Sequence, residues 1–374
     1  MKHKKLAVFL ATLSVASGFA LKSFYFDNQL ELGVPGIQSI INEYTSEKSD
    51  IRLTVGVLHN EQRTFAVFGN NGQPLEKKEY EYEIGSVSKT FTTSLLCKAV
   101  NEHKIALQNS IADYLPLDSY DFYPSVLSLA THTSGYGDYP FDEKTLGLKK
   151  YIKIENQFYK RHNNIYKGFD FDRMVSLADH HALKNKNYKW HYSNFGMGLV
   201  GVTLTQVYQC STFKDLILDF VKNDLHLNHT RVGNGTGDFD SYWDWNDDDM
   251  YIATGGLVST VNDLLDYAYS HLTESPKYLA LSHSEYRDIP DLDMKVGLGW
   301  MVDKKNHIIW HNGGTSSFTC FLGFDQTHQT ATVILANFAA KDDTKEDGML
   351  DTLGYIIEQA LSTDPDSVFE YLNS

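Results

Sequence analysis

Positive charge is scarce in this sequence of 374 residues, and the shortage excludes several kinds of partner. Lysine and arginine together number 33, against 48 aspartates and glutamates, which gives a net charge of −15. Binding to nucleic acid or to an anionic membrane surface requires clustered basic side chains, and the sequence contains no basic stripe. We therefore expect no nucleic-acid partner and no binding to a membrane surface.

Cysteine is also scarce, because the chain has only Cys97, Cys210 and Cys320. An odd number of cysteines cannot all pair within one chain, so a disulfide framework is not expected. Cys97 lies in an apolar helix pattern and Cys320 in an apolar strand pattern, and we interpret both as small buried hydrophobic residues. The hydrophobic fraction of 42% and the charged fraction of 22% are those of an ordinary globular protein with a substantial core.

The first residues have the pattern of a secretory signal peptide. Residues 1–5 (MKHKK) form a basic region, residues 6–21 are mostly apolar, and residues 18–20 include the small side chains that a signal peptidase reads. The apolar run is shorter than the roughly 20 residues that a membrane span prefers. A cleaved signal at residues 1–20 is therefore favoured over an uncleaved anchor, although both remain open. We predict an exported protein, secreted, periplasmic or associated with the cell envelope, with no stable membrane span after cleavage.

Helix and strand patterns occur at both ends of the chain, with a mainly helical stretch between them. An amphipathic helix precedes a strand hairpin near residues 53–68, and a last amphipathic helix covers about residues 349–361. Four more strands are predicted at residues 297–302, 307–310, 318–324 and 330–336. This order predicts an α/β (α+β) fold: an antiparallel β-sheet flanked by terminal helices and interrupted by a large all-α insertion. The predicted sheet domain comprises residues 21–105 and 252–374, and the insertion comprises residues 106–251.

Ser86 and Lys89 lie three residues apart at the start of a predicted helix, in the sequence GSVSKTF at residues 85–91. This spacing places the hydroxyl and the amine on one helix face, one turn apart. A lysine shielded from water can lose its proton, and a serine beside it can then act as a nucleophile. The pattern is weak by itself, because a solvated helix face produces the same spacing by chance.

Further patches of polar residues and glycines follow later in the chain. Tyr192 and Asn194 lie two residues apart, and we predict that they project together from a tight turn. His311 follows a predicted strand, and the glycines after it allow a ligand to approach the backbone. Residues 132–135 (HTSG) and 255–260 (GGLVST) are two accessory patches. Any one of these patches alone is more simply read as an ordinary turn.

In this order the patches resemble the serine β-lactamase-like and penicillin-binding protein superfamily. That superfamily includes class C β-lactamases, D-alanyl-D-alanine carboxypeptidases, D-aminopeptidases and related esterases. Residues 85–91 resemble its first motif, residues 192–194 its Tyr-x-Asn motif and residues 311–313 its third motif. The resemblance extends over nearly the whole chain after the signal. It implies the same fold that the element order predicts, an α/β sheet domain with an all-α insertion.

The resemblance also implies acyl transfer through a covalent serine intermediate. It implies Ser86 as the nucleophile, Lys89 as its proton partner and Tyr192 as a second base that later activates water. Backbone N–H groups of Ser86 and Gly314 are implied as the oxyanion hole. The substrate-binding residues that it implies are Asn194, His311, Gly313, Gly314 and Thr315.

His311 stands where class C β-lactamases typically carry a lysine, and a histidine is mostly neutral near pH 7. We therefore favour a cell-wall-related peptidase, amidase or esterase with a small-molecule or cell-wall-derived substrate. A class C-like β-lactamase is one alternative, and a non-catalytic relative that binds the cell wall is another. We expect no cofactor, and the sequence does not predict an oligomeric state.

Two other segments carry chemistry-bearing side chains. Residues 240–249 mix aromatic and acidic side chains, and they form either a rim over the substrate pocket or a surface loop with a few packed aromatics. Their carboxylate spacing does not follow that of a calcium loop. Asp179, His180 and His181 lack further ligands in their pattern, so we expect no metal site there.

Overall fold

The computed structural model describes residues 32–137, 164–290, 292–339 and 348–374. The predicted signal at residues 1–20 lies outside this part of the chain. Within the described ranges, no helix combines the length and the apolar character that a membrane crossing requires. Cys97 and Cys320 are both buried as free thiols, which confirms their interpretation as small hydrophobic residues.

Eight antiparallel strands form the main sheet, in the order β2-β1-β11-β10-β9-β8-β7-β6, and β3, β5 and β4 form a small second sheet. The strands are β1 (Leu53–His59), β2 (Gln62–Phe68), β3 (Tyr82–Glu83), β4 (Arg231–Val232), β5 (Leu257–Ser259), β6 (Arg287–Ile289), β7 (Met294–Val296), β8 (Met301–Asp303), β9 (Ile308–Gly314), β10 (Thr319–Asp325) and β11 (Thr330–Ala336). The N-terminal hairpin joins the C-terminal strands where Val55 of β1 pairs with Ile334 of β11. The sheet is therefore completed only when the two ends of the chain meet.

The described helices lie on both faces of the sheet and beside it. They are α1 (Gly33–Thr45), α2 (Ser88–Asn101), α3 (Val126–Ala130), α4 (Phe171–Asp179), α5 (Asn194–Val207), α6 (Phe213–Asn223), α7 (Ile252–Gly255), α8 (Val261–Leu272), α9 (Met349–Thr363) and α10 (Pro365–Asn373). Short 3₁₀ turns include Gly85–Val87 and Lys277–His283. The terminal helices α1 and α9 flank the sheet, as the sequence predicts, and α10 is a further terminal helix that was not predicted.

Alternation along the strands divides the core between the two faces of the sheet. Val55, Val57 and Ile334 join the core under the terminal helices. Gly56, on the opposite face of β1, leaves room for α8, because a Cβ there would lie 2.3 Å from the Val261 side chain. The α8 helix can therefore pack closely on the centre of the sheet.

The boundary of the predicted insertion at residues 106–251 stays a prediction. Its described part is mainly helical, yet β4 lies inside it and pairs with β5, which belongs to the predicted sheet domain. Conversely, α2 precedes the insertion in sequence but packs against α5 and α6 inside it. The two predicted units thus share a continuous core around α2.

Two strand predictions were wrong in their extent. Of the strand predicted at residues 297–302, only the end is a strand, as part of β8. Gly299 interrupts it, because its φ is +70° and a Cβ on it would lie 3.1 Å from the Lys89 carbonyl oxygen. The strand predicted to end at residue 310 continues to Gly314 as β9. His311 therefore lies inside a strand and not in the turn after it.

Candidate active site

Ser86 and Lys89 are in direct contact at the start of α2. Ser86 lies in the 3₁₀ turn Gly85–Val87, which leads straight into the helix. The Lys89 Nζ atom donates a hydrogen bond to Ser86 Oγ at 2.8 Å and another to the Thr254 carbonyl oxygen at 2.7 Å. Lys89 is fully buried, whereas Ser86 is partly exposed. The hydroxyl is thus accessible to a substrate, and its proton has an amine within reach.

A backbone contact holds Ser86 beside strand β9. Gly85 has a φ of +46°, and a Cβ on it would lie 2.7 Å from the backbone nitrogen and oxygen of Gly314. A Cβ on Gly313 would lie 2.1 Å from the Ile84 carbonyl oxygen. Only glycine fits at both positions, so the chain before the serine and the end of β9 lie backbone against backbone. Gly314 is partly exposed at this point.

Tyr192 and Asn194 lie at the N-terminus of α5 and not in the predicted tight turn. Ser193 is the helix cap, and its Oγ accepts a hydrogen bond from the Gly196 amide at 2.8 Å. Tyr192 is buried with its ring centre 4.9 Å from Lys89 Nζ. The Asn194 side-chain amide donates to the Tyr166 hydroxyl at 3.0 Å and is partly exposed. The helix cap therefore fixes the direction of both predicted site residues.

His132 holds the Tyr192 segment from the opposite side, a role that the sequence did not predict. Its ring Nδ1 accepts a hydrogen bond from the Ser193 amide at 3.2 Å, and its carbonyl oxygen accepts one from the His191 amide at 2.8 Å. Its ring centre lies 4.5 Å from that of Tyr192. Burial, assisted by the nearby Lys89 charge, lowers the pKa of His132 well below its usual range. The imidazole is therefore neutral and carries its proton on Nε2.

His311 lies in β9 with its ring centre 6.2 Å from that of Tyr192. It is fully buried, and its Nδ1 donates to the Asn312 carbonyl oxygen at 2.5 Å. Burial and then the Lys89 charge lower the pKa of His311 to about 3. The neutral imidazole thus supplies no permanent positive charge beside the site at neutral pH.

Thr315 directs its hydroxyl away from solvent toward Glu83. The side chain is 2% exposed, and its Oγ1 donates to Glu83 Oε2 at 2.6 Å. The structure brings most of the predicted site residues together, and Asn194 lies at their edge beside Tyr166. The residues brought together are Ser86, Lys89, Tyr192, His311, Gly313 and Gly314. The predicted substrate-binding role of Thr315 stays a prediction. Glu83 lies in none of the sequence motifs described above, and its hydrogen-bond partners Thr315 and Trp243 are far away in sequence.

The segment at residues 240–249 packs its aromatic rings inside the protein. Tyr242, Trp243 and Trp245 are buried, and Trp243 Nε1 donates to Ser316 Oγ at 2.8 Å. The acidic side chains Asp247 and Asp248 are exposed. This arrangement favours the surface loop with packed aromatics over an aromatic rim presented to a ligand.

The carboxylate of Asp179 is engaged by hydroxyl groups. Ser119 Oγ donates to it at 2.6 Å, and Tyr123 donates to its other oxygen. These hydrogen bonds, that of Ser119 first, lower the pKa of Asp179 to about 2. Across the residues that the structure describes, no group of three or more His, Cys, Asp and Glu side chains could hold a metal ion.

Comparison with known proteins identifies the family. The family described as Beta-lactamase matches residues 38–355, so the chain belongs to the beta-lactamase family. It is therefore a serine hydrolase of this family. The match spans the N-terminal hairpin, the helical part, all the C-terminal strands and the first half of α9, to residue 355. It confirms the resemblance that the sequence motifs indicate.

Two curated relatives show how distant the similarity is. A Beta-lactamase of Pseudomonas fluorescens is 25% identical over 287 residues, which is 71% of this chain and 73% of the relative. Protein flp of Staphylococcus aureus (strain MRSA252) is 21% identical over 308 residues, which is 72% of this chain but only 57% of that protein. The chain thus spans little more than half the length of the second relative.

Solved structures share the fold at low sequence identity. The octameric penicillin-binding protein homologue from Pyrococcus abyssi superposes with a TM-score of 0.68 at 18% identity, over 89% of this chain and 78% of that one. A D-stereospecific amidohydrolase from Streptomyces sp. gives a TM-score of 0.63 at 19% identity, over 83% of this chain and 96% of that one. These similarities confirm the predicted fold class.

Proposed function

We propose that this serine hydrolase forms an acyl-enzyme on Ser86 and acts on amide, peptide or ester bonds of D-amino acids related to the cell wall. The observation that carries the proposal is the 2.8 Å hydrogen bond between Lys89 Nζ and Ser86 Oγ. A buried amine in contact with a partly exposed hydroxyl is an arrangement suited to nucleophilic catalysis. A protein that only binds the cell wall has no physical need for it.

In the proposed reaction, Ser86 Oγ attacks the carbonyl carbon of the substrate while its proton passes to Lys89 or Tyr192. The backbone N–H groups of Ser86 and Gly314 bind the negative oxygen of the tetrahedral intermediate. The leaving group then takes a proton and departs, which leaves the acyl group on Ser86. Water, deprotonated by Tyr192, attacks this ester and releases the product. Asn194 holds the amide carbonyl of the substrate in both steps.

The neutral His311 supports the choice of substrate class. A lysine at this position offers a permanent charge to a substrate carboxylate, and a buried imidazole with a pKa of about 3 does not. This difference ranks D-aminopeptidase, carboxypeptidase or esterase activity above class C-like β-lactamase activity. A D-stereospecific amidohydrolase has the same fold, and this analogy also favours a substrate that contains a D-amino acid.

The proposed location is the cell envelope or the extracellular space. Residues 1–20 carry the basic and apolar pattern of a secretory signal, and cell-wall bonds that contain D-amino acids lie on the far side of the cytoplasmic membrane. The basic residues at positions 2, 4 and 5 would be removed by cleavage. The mature protein would then be more acidic than the whole chain.

The test uses a D-alanyl ester, its L-alanyl counterpart and a chromogenic cephalosporin with wild type, Ser86→Ala and the exposed control Ser49→Ala. We expect Ser86→Ala to lose about a thousandfold or more of kcat/KM, because the nucleophile is gone. Ser49→Ala should match wild type, and mass spectrometry should find the acyl adduct on the Ser86 peptide. Equal activity of Ser86→Ala and wild type contradicts the mechanism. Cephalosporin turnover that matches the D-alanyl ester reverses the substrate ranking.

A further inference from the structure

We propose that Glu83 is a positioning residue that holds the serine turn and the end of β9 in register, so that the hydroxyl of Ser86 faces the oxyanion hole. The inference rests on the proposed function, because it assigns to Glu83 the geometry which that chemistry requires. Glu83 does not touch the reacting atoms. It acts through Thr315 on one side and through the chain that leads to Ser86 on the other.

A closed ring of buried hydrogen bonds contains Glu83. Its Oε2 accepts from Thr315 Oγ1 at 2.6 Å, and its Oε1 accepts from the Trp243 amide. The indole of Trp243 donates to Ser316 Oγ at 2.8 Å, and Ser316 follows Thr315 in the chain. These four side chains are each less than 5% exposed, at 3%, 2%, 3% and 4% in the order Glu83, Thr315, Trp243 and Ser316. The ring therefore joins three separate stretches of chain away from water.

The ring spans the contact between the two halves of the candidate active site. Glu83 ends β3 and precedes Ser86 by three residues, and Thr315 directly follows Gly314. Between these two anchors, the backbones of Gly85 and Gly314 lie so close that a Cβ on Gly85 would be 2.7 Å from Gly314. The hydrogen bond between Glu83 and Thr315 therefore prevents the backbone before Ser86 from sliding along the end of β9.

The position requires a carboxylate and not merely a polar side chain. Thr315 Oγ1 already accepts from the Phe318 amide at 3.2 Å, so its own proton is directed to Glu83. The Trp243 amide can only donate. Two donors thus face the two oxygens of one carboxylate, and a glutamine can accept from only one of them.

The cost of burying this carboxylate supports a specific role for it. Burial raises the pKa of Glu83 to about 7, against the lowering effect of its hydrogen bonds. Arg231, whose positive charge contributes to lowering the pKa of Glu83, is itself bonded to the Glu81 carboxylate at 2.7 Å. Glu83 therefore lacks a dedicated ion-pair partner among the described residues. Burying a charge without an ion-pair partner costs free energy that only well-placed hydrogen bonds offset, here those from Thr315 and Trp243.

The experiment compares Glu83→Gln and Thr315→Val with a matched pair elsewhere in the fold. Glu358 is equally buried, and it accepts a hydrogen bond from Thr330 Oγ1 at the same distance of 2.6 Å. This contact lies where α9 packs on β11, at the end of the sheet opposite Ser86. With a D-alanyl ester, we expect Glu83→Gln to lower kcat about tenfold to a hundredfold with little change in KM. Glu358→Gln and Thr330→Val should keep the wild-type kcat.

A double variant and a conservative variant separate positioning from binding and from folding. Glu83→Gln combined with Thr315→Val should lose no more kcat than Glu83→Gln alone, because both remove the same link. Thr315→Ser keeps the hydroxyl and should restore the kcat that Thr315→Val loses. If Glu83→Gln does not fold, the comparison of Thr315→Val with Thr315→Ser tests the inference without it. A KM increase at constant kcat, or equal kcat of Thr315→Val and Thr315→Ser, overturns the inference.

The Ser86→Ala variant distinguishes the two levels of failure. If Ser86→Ala is inactive while folded Glu83→Gln keeps the wild-type kcat, the positioning role is wrong and the acyl-enzyme proposal stands. If Ser86→Ala retains full activity, the proposed function itself is wrong.

Discussion

Glycine at position 313 is required by space rather than by backbone conformation. A Cβ there would lie 2.1 Å from the Ile84 carbonyl oxygen and 2.8 Å from Cys320 Sγ. Gly313→Ala should therefore destabilise the protein by about 1–3 kcal/mol, as overpacking does, and should displace Ser86. Denaturant unfolding and the rate of acylation by a D-alanyl ester measure the two effects.

Gly255 provides the control for that substitution. It lies beside the same turn, but a Cβ on it would meet its nearest atom, in Gly85, at an ordinary 3.7 Å. Gly255→Ala should leave both the free energy of unfolding and the acylation rate near wild type. Equal behaviour of the two alanine variants would show that the contact between β9 and Ile84 is not tight.

At the level of single residues, the sequence predicts groups that lie close together along the chain. Ser86 and Lys89 are one helical turn apart, so their contact follows from spacing alone. Glu83 and Thr315 are separated by 232 residues, and their hydrogen bond depends on the pairing of β9 with β10 and on the turn after it. His132 and Ser193 are 61 residues apart and meet only in the folded core. The HTSG pattern marks His132 as part of an accessory patch, but no local pattern shows which residue it contacts, and Glu83 lies in none of the patches.

Helix α9 carries a buried carboxylate that makes the stability of the protein depend on pH. Glu358 is 2% exposed, and burial raises its pKa from 4.5 to about 8, with a smaller contribution from Asp325. The folded state therefore holds this proton more tightly than the unfolded state. Stability should fall as pH rises from 4.5 through about 8 and then level off.

Glu358→Gln should remove most of that pH dependence, because the amide does not titrate. Urea unfolding of wild type and variant at pH values from about 5 to 9 measures the difference. The free energy of unfolding of Glu358→Gln should still decrease with pH up to about 7, because Glu83, with a pKa of about 7, also loses its proton over that range. Parallel stability curves for the two proteins would mean that Glu358 does not carry a raised pKa in the folded state.

For the secondary-structure elements, the periodicity and length of the apolar patterns predicted whether a segment is a helix or a strand better than they predicted where it ends. The apolar alternation of β1 and the apolar stretches of β10 and β11 predicted these strands, because each is buried and regular over seven residues. β9 extends beyond its predicted end because Asn312 and two glycines continue the ladder with β10, although their composition is that of a turn. Tertiary pairing here overrides local preference, and it moves His311 from a turn into the sheet.

For the whole molecule, the order of elements was enough to predict an antiparallel sheet with terminal helices. The sequence could not show how the helical part joins it. Helix α2 packs against the sheet-side helix α8 through Phe91 and Tyr267, whose ring centres are 3.8 Å apart, and against α5 and α6 on its other side. Because α2 begins two residues after Ser86, the proposed nucleophile, the candidate active site lies where both parts of the fold meet.

The net charge of −15 over the chain should steer substrates by their own charge. Of two reporter esters with the same scissile bond, one with an ammonium group and one with a carboxylate, the cationic ester should have the higher kcat/KM at low ionic strength. Raising the salt from about 0.01 M to about 1 M shortens the screening length from about 30 Å to about 3 Å. The ratio of the two kcat/KM values should therefore fall toward the value set by contacts in the site alone. A ratio that does not change with salt would mean that local groups, and not the field of the whole protein, set the preference.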